Sequence, residues 1–201
     1  YTREKKEVAS RVGMQYEVFE HSITEPLRQL VDQITNLAQN PKYTGIIIQK
    51  PMRKTWETFI TQPTLHTPQS TFNNWWHHLT STIPLHKDID GLHPETLASI
   101  QNHTWQEKKL VLPATCRAVI SIIEHINQEL SLDLSTNSTV ILGRSELLGL
   151  PLYYELLQSF SQLQLFGKKE LDQQLNQPEK LRQFGTIITS TGIANLVKGE
   201  Y

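Results

Sequence analysis

The chain carries a single cysteine, Cys116, in 201 residues. One thiol excludes an internal disulfide and any cysteine-built metal centre, and leads us to expect a reducing, cytoplasmic setting. The eight histidines show no H-x-x-x-H spacing, so no metal site is predicted. An excess of one charge sign is lacking too. With 19 basic against 20 acidic side chains, there is no polybasic face for nucleic acid or anionic lipid. No apolar run approaches the ~20 residues of a membrane-spanning helix. No internal repeat is visible, and the many glutamines and asparagines are scattered rather than gathered in a tract.

What is present is an alternation of helical and strand-like patterns, which predicts α/β architecture. Residues 1–12 read as a helix with Tyr1, Lys5, Val8, Ala9 and Val12 on one face. Met14 to Phe19 reads as a short strand, and Glu25 to Ala38 as a helix on Leu27, Leu30, Val31, Ile34 and Leu37. The stretch TGIIIQ reads as a strand buried on both faces. Residues 52–84 are expected to be an irregular excursion with one short helix near Thr71 to Thr80. Their tryptophans Trp56, Trp75 and Trp76 read as packing anchors rather than a base-stacking platform. A turn at Asp90-Gly91 leads into a helix near Pro94, and TCRAVISIIEHINQEL is an amphipathic helix expected to cross between two domains. Strand, glycine turn, helix, strand and strand then follow, the opening of a dinucleotide-binding domain.

Several residues could carry chemistry. Gly143 closes a strand and Gly149 opens a helix, with Pro151 in its first turn. A pyrophosphate could rest on that helix N-terminus, beside Arg144 and Ser145. The spacing is not G-x-G-x-x-G, so an ordinary strand-to-helix turn is the competing reading. About 20 residues further on, an NAD site usually has an acidic residue for the ribose. Here the stretch is FGKKE, and Lys168 with Lys169 favours a 2′-phosphate, hence NADP, over a merely solvated lysine pair.

Tyr1 and Lys5 form Y-x-x-x-K, one helical turn apart. A lysine on a mostly apolar face loses hydration, which lowers its pKa and suits it to proton exchange. Short-chain dehydrogenases use this spacing, but after their dinucleotide fold and not before it. Taken alone, the pair is more often structural. Gln49 ends an apolar strand, where ligands sit in open parallel sheets, or else it forms a turn. Asp90 in KDIDG is a turn former first. Cys116, next to Thr115 at a helix start, is read as a passive small residue rather than an activated thiol.

These pieces, in this order, resemble one family: the bifunctional methylenetetrahydrofolate dehydrogenase/methenyltetrahydrofolate cyclohydrolases. YTREKKEVA is similar to the family's Y-V-x-x-K-x-x-A, and GIIIQKP to its G-I-L-V-Q-L-P. PLHKDIDGLHPET is similar to P-x-K-D-V-D-G-F/L-H-P-x-N, VILGRSELLGLP to V-x-G-R-S-x-I-V-G-x-P, and TIITSTGIANLVKGEY to the family's last-strand motif. The likeness runs end to end.

The resemblance implies two α/β domains with a cleft between them: a folate-binding domain over 1–112 and a Rossmann-like NAD(P)-binding domain over 113–201. Tyr1 would pack against the folate, with Ile48 and Lys50 beside it. Lys5 would be the acid/base group of ring opening, Gln49 would tune Lys5, and Asp90 would grip the pterin edge. Gly143, Arg144, Ser145, Gly149, Lys168, Thr191 and Gly192 would hold NADP, with NAD the lesser expectation. A homodimer acting on tetrahydrofolate derivatives in one-carbon metabolism is implied, as are further residues on both sides of the chain.

Departures from the family motifs fall at PATCRAV, where Ala114, Cys116 and Ala118 replace its cysteine, second proline and glycine. They fall also at QKPMR, which puts Lys50 and Arg53 where apolar and proline residues are usual. A paralogue with one activity or none, and a shikimate- or amino-acid-type two-domain dehydrogenase, are the alternatives.

Overall fold

A computed structural model describes residues 2–60, 71–175 and 178–197. Helix α1 (Thr2–Arg11) buries only Ala9, while Val8 and Val12 of the same face are exposed. Helix α2 (Leu27–Gln39) starts directly after Pro26, whose fixed φ suits a helix entry. Its leucine and isoleucine stripe lies on helix α4 (Phe72–Ser81), which Thr71 caps by accepting the backbone N–H of Asn74 at 3.2 Å. Helix α3 (Arg53–Ile60) completes this layer. Trp56, Phe72, Trp75, Trp76 and Leu79 are buried together with Leu30. The tryptophans therefore are core, as expected.

Three corrections arise in this half. Met14 to Phe19 is extended but pairs with no strand among the described residues, and Met14, Val18 and Phe19 are exposed. The TGIIIQ segment is half-buried, and its ladder is reduced to one parallel bridge, Ile46 with Asp88. Apolar content alone makes no strand; backbone donors and acceptors need a neighbour to pair with. The excursion is more ordered than expected, since α3 was not anticipated; residues 61–70 lie outside the described residues. Helix α3 has few apolar positions beyond Trp56 and Phe59, so its period was hard to detect.

Helix α5 (Pro94–Gln101) begins with proline in its first turn, and His93 Nδ1 accepts the Glu95 N–H at 3.0 Å. Helix α6 (Ala114–Leu130) ends on Ser131 in the left-handed region. The second half is a parallel sheet of β1 (Ser138–Leu142), β2 (Gln162–Phe166) and β3 (Thr186–Thr189), in the order β2-β1-β3. Helix α7 (Gly149–Leu156) links β1 to β2, and helix α8 (Lys168–Leu175) follows β2. Alternation along β1 sends Ile141 to one face and Val140 and Leu142 to the other. Ile141 joins Leu152, Leu156 and Cys116 with Ile100, Trp105 and Leu112 from the first half, so one core spans both. On the other face Val140 and Leu142 pack with Leu171, Leu181 and Phe184. Because β2 and β3 flank β1 on opposite sides, the connections diverge at the carboxyl end of β1, and ligands bind at such a switch point.

Candidate functional site

The KDIDG segment is built by its first two residues. The buried Lys87 amine donates to the carbonyls of Ala38 (2.7 Å) and Asn40 (3.0 Å), closing the end of α2. The buried Asp88 carboxylate accepts from the N–H groups of Gly91, Leu92 and His93 and from Thr96 Oγ1, all within 3.0–3.1 Å. This closes the turn and leaves Asp90 at its tip, half-buried. Burial pushes the Asp90 carboxyl above its ordinary range; the positive charge of Lys5 pulls the other way, and the Asp88 carboxylate adds to the rise.

Lys5 of α1 thus stands within electrostatic reach of Asp90, and it is half-buried while Lys6 is exposed. Tyr1 lies outside the described residues. Ile48 is half-buried in the wall below α4 and Gln49 is exposed at the end of its segment.

At the switch point, Gly143 takes φ +106°, and a Cβ on Gly149 would stand 1.9 Å from the Gly143 carbonyl oxygen. Glycine is therefore required where α7 meets the turn. Ser145 Oγ accepts the Gly149 N–H at 3.0 Å, so this serine caps the helix N-terminus at which an anion was expected. Ser190 Oγ donates to the carbonyl oxygens of Gly143 (2.9 Å) and Leu142 (3.1 Å), drawing the end of β3 onto the end of β1. Thr191 and Gly192, the latter at φ +67°, follow directly. Ser190 was missed by sequence reasoning because a serine between two threonines carries no signal of its own.

Arg144 reaches across the end of β2: a Cβ on Gly167 would stand 3.0 Å from its Nε, and its Nη2 lies 3.7 Å from Glu170 Oε1. Lys168 and Lys169 are exposed beside it at the start of α8. Arg144, Lys168 and Lys169 together bring three cations to the end of β2, which suits a phosphorylated ribose on a dinucleotide. Cys116 is fully buried, and burial together with Glu155 pushes its thiol up to about 12 despite Arg117. It is a packing residue, as expected.

Between the halves lies a cleft of about 300 Å³ lined by Lys50, Arg53, Asn73, Arg144, Ser145, Glu146 and Leu147. The Lys50 amine meets Glu146 Oε2 at 2.8 Å and sits 5.0 Å from the Trp76 ring centre. His77 Nε2 meets Glu146 Oε1 at 2.6 Å. Burial pushes the Glu146 carboxyl up, but hydrogen bonds from Lys50 and His77, with their charges, outweigh it and hold the group below the usual carboxylate range. Neither Glu146 nor His77 was singled out from sequence. They are separated by 69 residues, and only the fold joins them.

No family model matches the sequence. Among curated proteins, the chain is 25% identical over 200 residues to the bifunctional protein FolD of Lactobacillus helveticus, covering 100% of this chain and 60% of that protein. FolD of Wolbachia pipientis wMel is 25% identical over 203 residues, covering 100% and 59%. Among solved structures, the FolD methylenetetrahydrofolate dehydrogenase/cyclohydrolase of Campylobacter jejuni matches with a TM-score of 0.72 at 22% identity, over 98% of this chain and 60% of that one. The Trypanosoma brucei enzyme, complexed with NADP cofactor and inhibitor, matches with a TM-score of 0.74 at 19% identity, over 100% and 59%. The chain spans about three-fifths of the length of these relatives. Both kinds of likeness agree with the α/β fold and with the family resemblance drawn from the motifs.

Proposed function

We propose that this protein carries the two activities of the bifunctional FolD enzymes it resembles. These are NADP-dependent oxidation of 5,10-methylenetetrahydrofolate to the 5,10-methenyl form, and hydrolysis of the latter to 10-formyltetrahydrofolate. The observation that carries the reading is that Lys5 lies within electrostatic reach of Asp90 in the first half, while the second half presents the glycine turn and Arg144.

In the hydrolysis, water adds to the methenyl carbon, one carbon–nitrogen bond breaks, and a proton passes to the released ring nitrogen. A half-buried amine on α1 suits both proton movements, and its positive form stabilises the negative charge that develops on the attacking oxygen. Asp90, biased toward protonation by burial, holds the polar edge of the pterin. By the family resemblance, Tyr1, Ile48, Gln49 and Lys50 would contact the substrate. Gly143 and Gly149 let the turn pack tightly against the start of α7, where the pyrophosphate is proposed to lie; Ser145, Thr191 and Gly192 border it, and Arg144 with Lys168 holds the 2′-phosphate. When bound, NADP supplies the hydride acceptor; the chain itself contributes alignment. The division into a substrate domain over 1–112 and a dinucleotide domain over 113–201 is part of this proposal, as is a soluble, cytoplasmic homodimer.

The test is to supply the intact protein with methylenetetrahydrofolate and NADP, and separately with methenyltetrahydrofolate, and to follow NADPH in the first assay and 10-formyltetrahydrofolate in both. Formation of both is the expected result. Hydrolysis of the methenyl substrate without NADPH formation would favour a single-activity paralogue, and neither product would overturn the reading.

A further inference from the structure

Glu146 and His77 have no part in the roles assigned above; their third partner, Lys50, was placed on the substrate side. The Glu146 carboxylate sits in the loop after β1, on the dinucleotide wall. Both of its partners come from the opposite wall: Lys50, 96 residues away, and His77 on α4, 69 residues away. The Lys50 amine is backed by the rings of Trp76 (5.0 Å) and Phe72 (5.6 Å), which are buried core residues. Lys50 and Glu146 side chains are only 30% and 26% exposed. An exposed ion pair of flexible side chains contributes little. This one is partly desolvated, has both carboxylate oxygens engaged, and is anchored on aromatic rings at one end and on a short glycine-bounded loop at the other.

We propose that Glu146 is a positioning residue that ties the two walls of the cleft together through Lys50 and His77. The tie holds the loop 143–148 in register with the substrate wall. That loop carries Gly143, Arg144 and Ser145, so its position sets where a dinucleotide lies relative to the substrate. This inference rests on the proposed function for its catalytic consequence, though not for the tie itself. The two reactions should therefore respond differently. Hydride transfer needs both walls aligned to within a fraction of an ångström, whereas hydrolysis is assigned to Lys5 and Asp90, both in the first half of the chain.

The test uses the intact protein and the variants Glu146→Ala, Glu146→Gln and His77→Gln. Amide hydrogen exchange of residues 143–150, measured without ligand, reads the tie directly. Protection should fall about tenfold in Glu146→Ala and less in the other two. The maximal rate of hydride transfer should fall on the order of tenfold to a hundredfold in Glu146→Ala, with hydrolysis within about twofold of the parent. His77 is half exposed on α4, so His77→Gln keeps the test valid if the alanine variant fails to fold. Unchanged exchange in both Glu146→Ala and His77→Gln overturns the tie, and equal loss of both reactions overturns the positioning role. If the parent shows neither reaction, the functional reading fails while the exchange data still decide the tie.

Discussion

The carbonyl oxygen of Gly143 occupies the space that any side chain on Gly149 would need, 1.9 Å from the position of its Cβ. The turn after β1 and the first residue of α7 are thus packed backbone to backbone. Ser190 presses on the same carbonyl from β3. Gly149→Ala must therefore displace α7 or the turn. We expect a loss of about 2–3 kcal/mol in urea unfolding and weakened dinucleotide binding.

The two aspartates of KDIDG should respond in opposite directions. Asp88 accepts four hydrogen bonds while buried, so Asp88→Ala should cost roughly 3 kcal/mol or more. Asp90 has its carboxyl raised by burial, which marks the ionised form as unfavourable in the fold. Asp90→Asn should then raise thermal stability slightly, by about 0.5–1 kcal/mol, while substrate affinity falls. Thermal unfolding of both variants at neutral pH checks the pair of signs.

How far this was legible from sequence follows from the range of each interaction. The α2 stripe, the α5 start at Pro94 and the strand–turn–helix from Ser138 are local patterns, and each was found where expected. The strand at Met14 to Phe19 failed because pairing depends on a neighbour and not on composition. That Lys5 on its half-buried helical face lies within electrostatic reach of Asp90 joins two residues that sequence reasoning named separately, the first from its helical face and the second from its turn. The Lys50–Glu146–His77 cluster was not anticipated, because three unremarkable polar residues converge only after α4 has packed on α2 and the loop after β1 has closed over them.

The pH dependence of stability should carry the signature of Glu146. Its folded carboxyl lies below the unfolded value of 4.5. The stabilising contribution is therefore complete above that value and is lost as pH falls through the depressed folded one. Asp90, raised in the fold, has the reverse sign and partly offsets the loss. Acid unfolding of Glu146→Gln should be shallower than that of the parent below about pH 4.5, and the same above it.

Arg144 lies across the end of β2 and makes only a loose contact, 3.7 Å, with Glu170. Arg144→Ala should weaken NADP binding by about tenfold to a hundredfold, the equivalent of one lost charge-assisted contact. NAD binding should change by less than about threefold. Fluorescence titration with both dinucleotides measures the difference, and equal losses would place Arg144 at the pyrophosphate instead.

The central claim is that one half-buried amine on α1, coupled to Asp90, performs the ring opening. Lys5→Met keeps the length and apolar character of the side chain and removes the charge and the proton. Hydrolysis of methenyltetrahydrofolate by the intact variant should fall by about 10²–10⁴-fold, with NADP affinity unchanged. Hydrolysis at the parent rate in a folded variant would contradict the account.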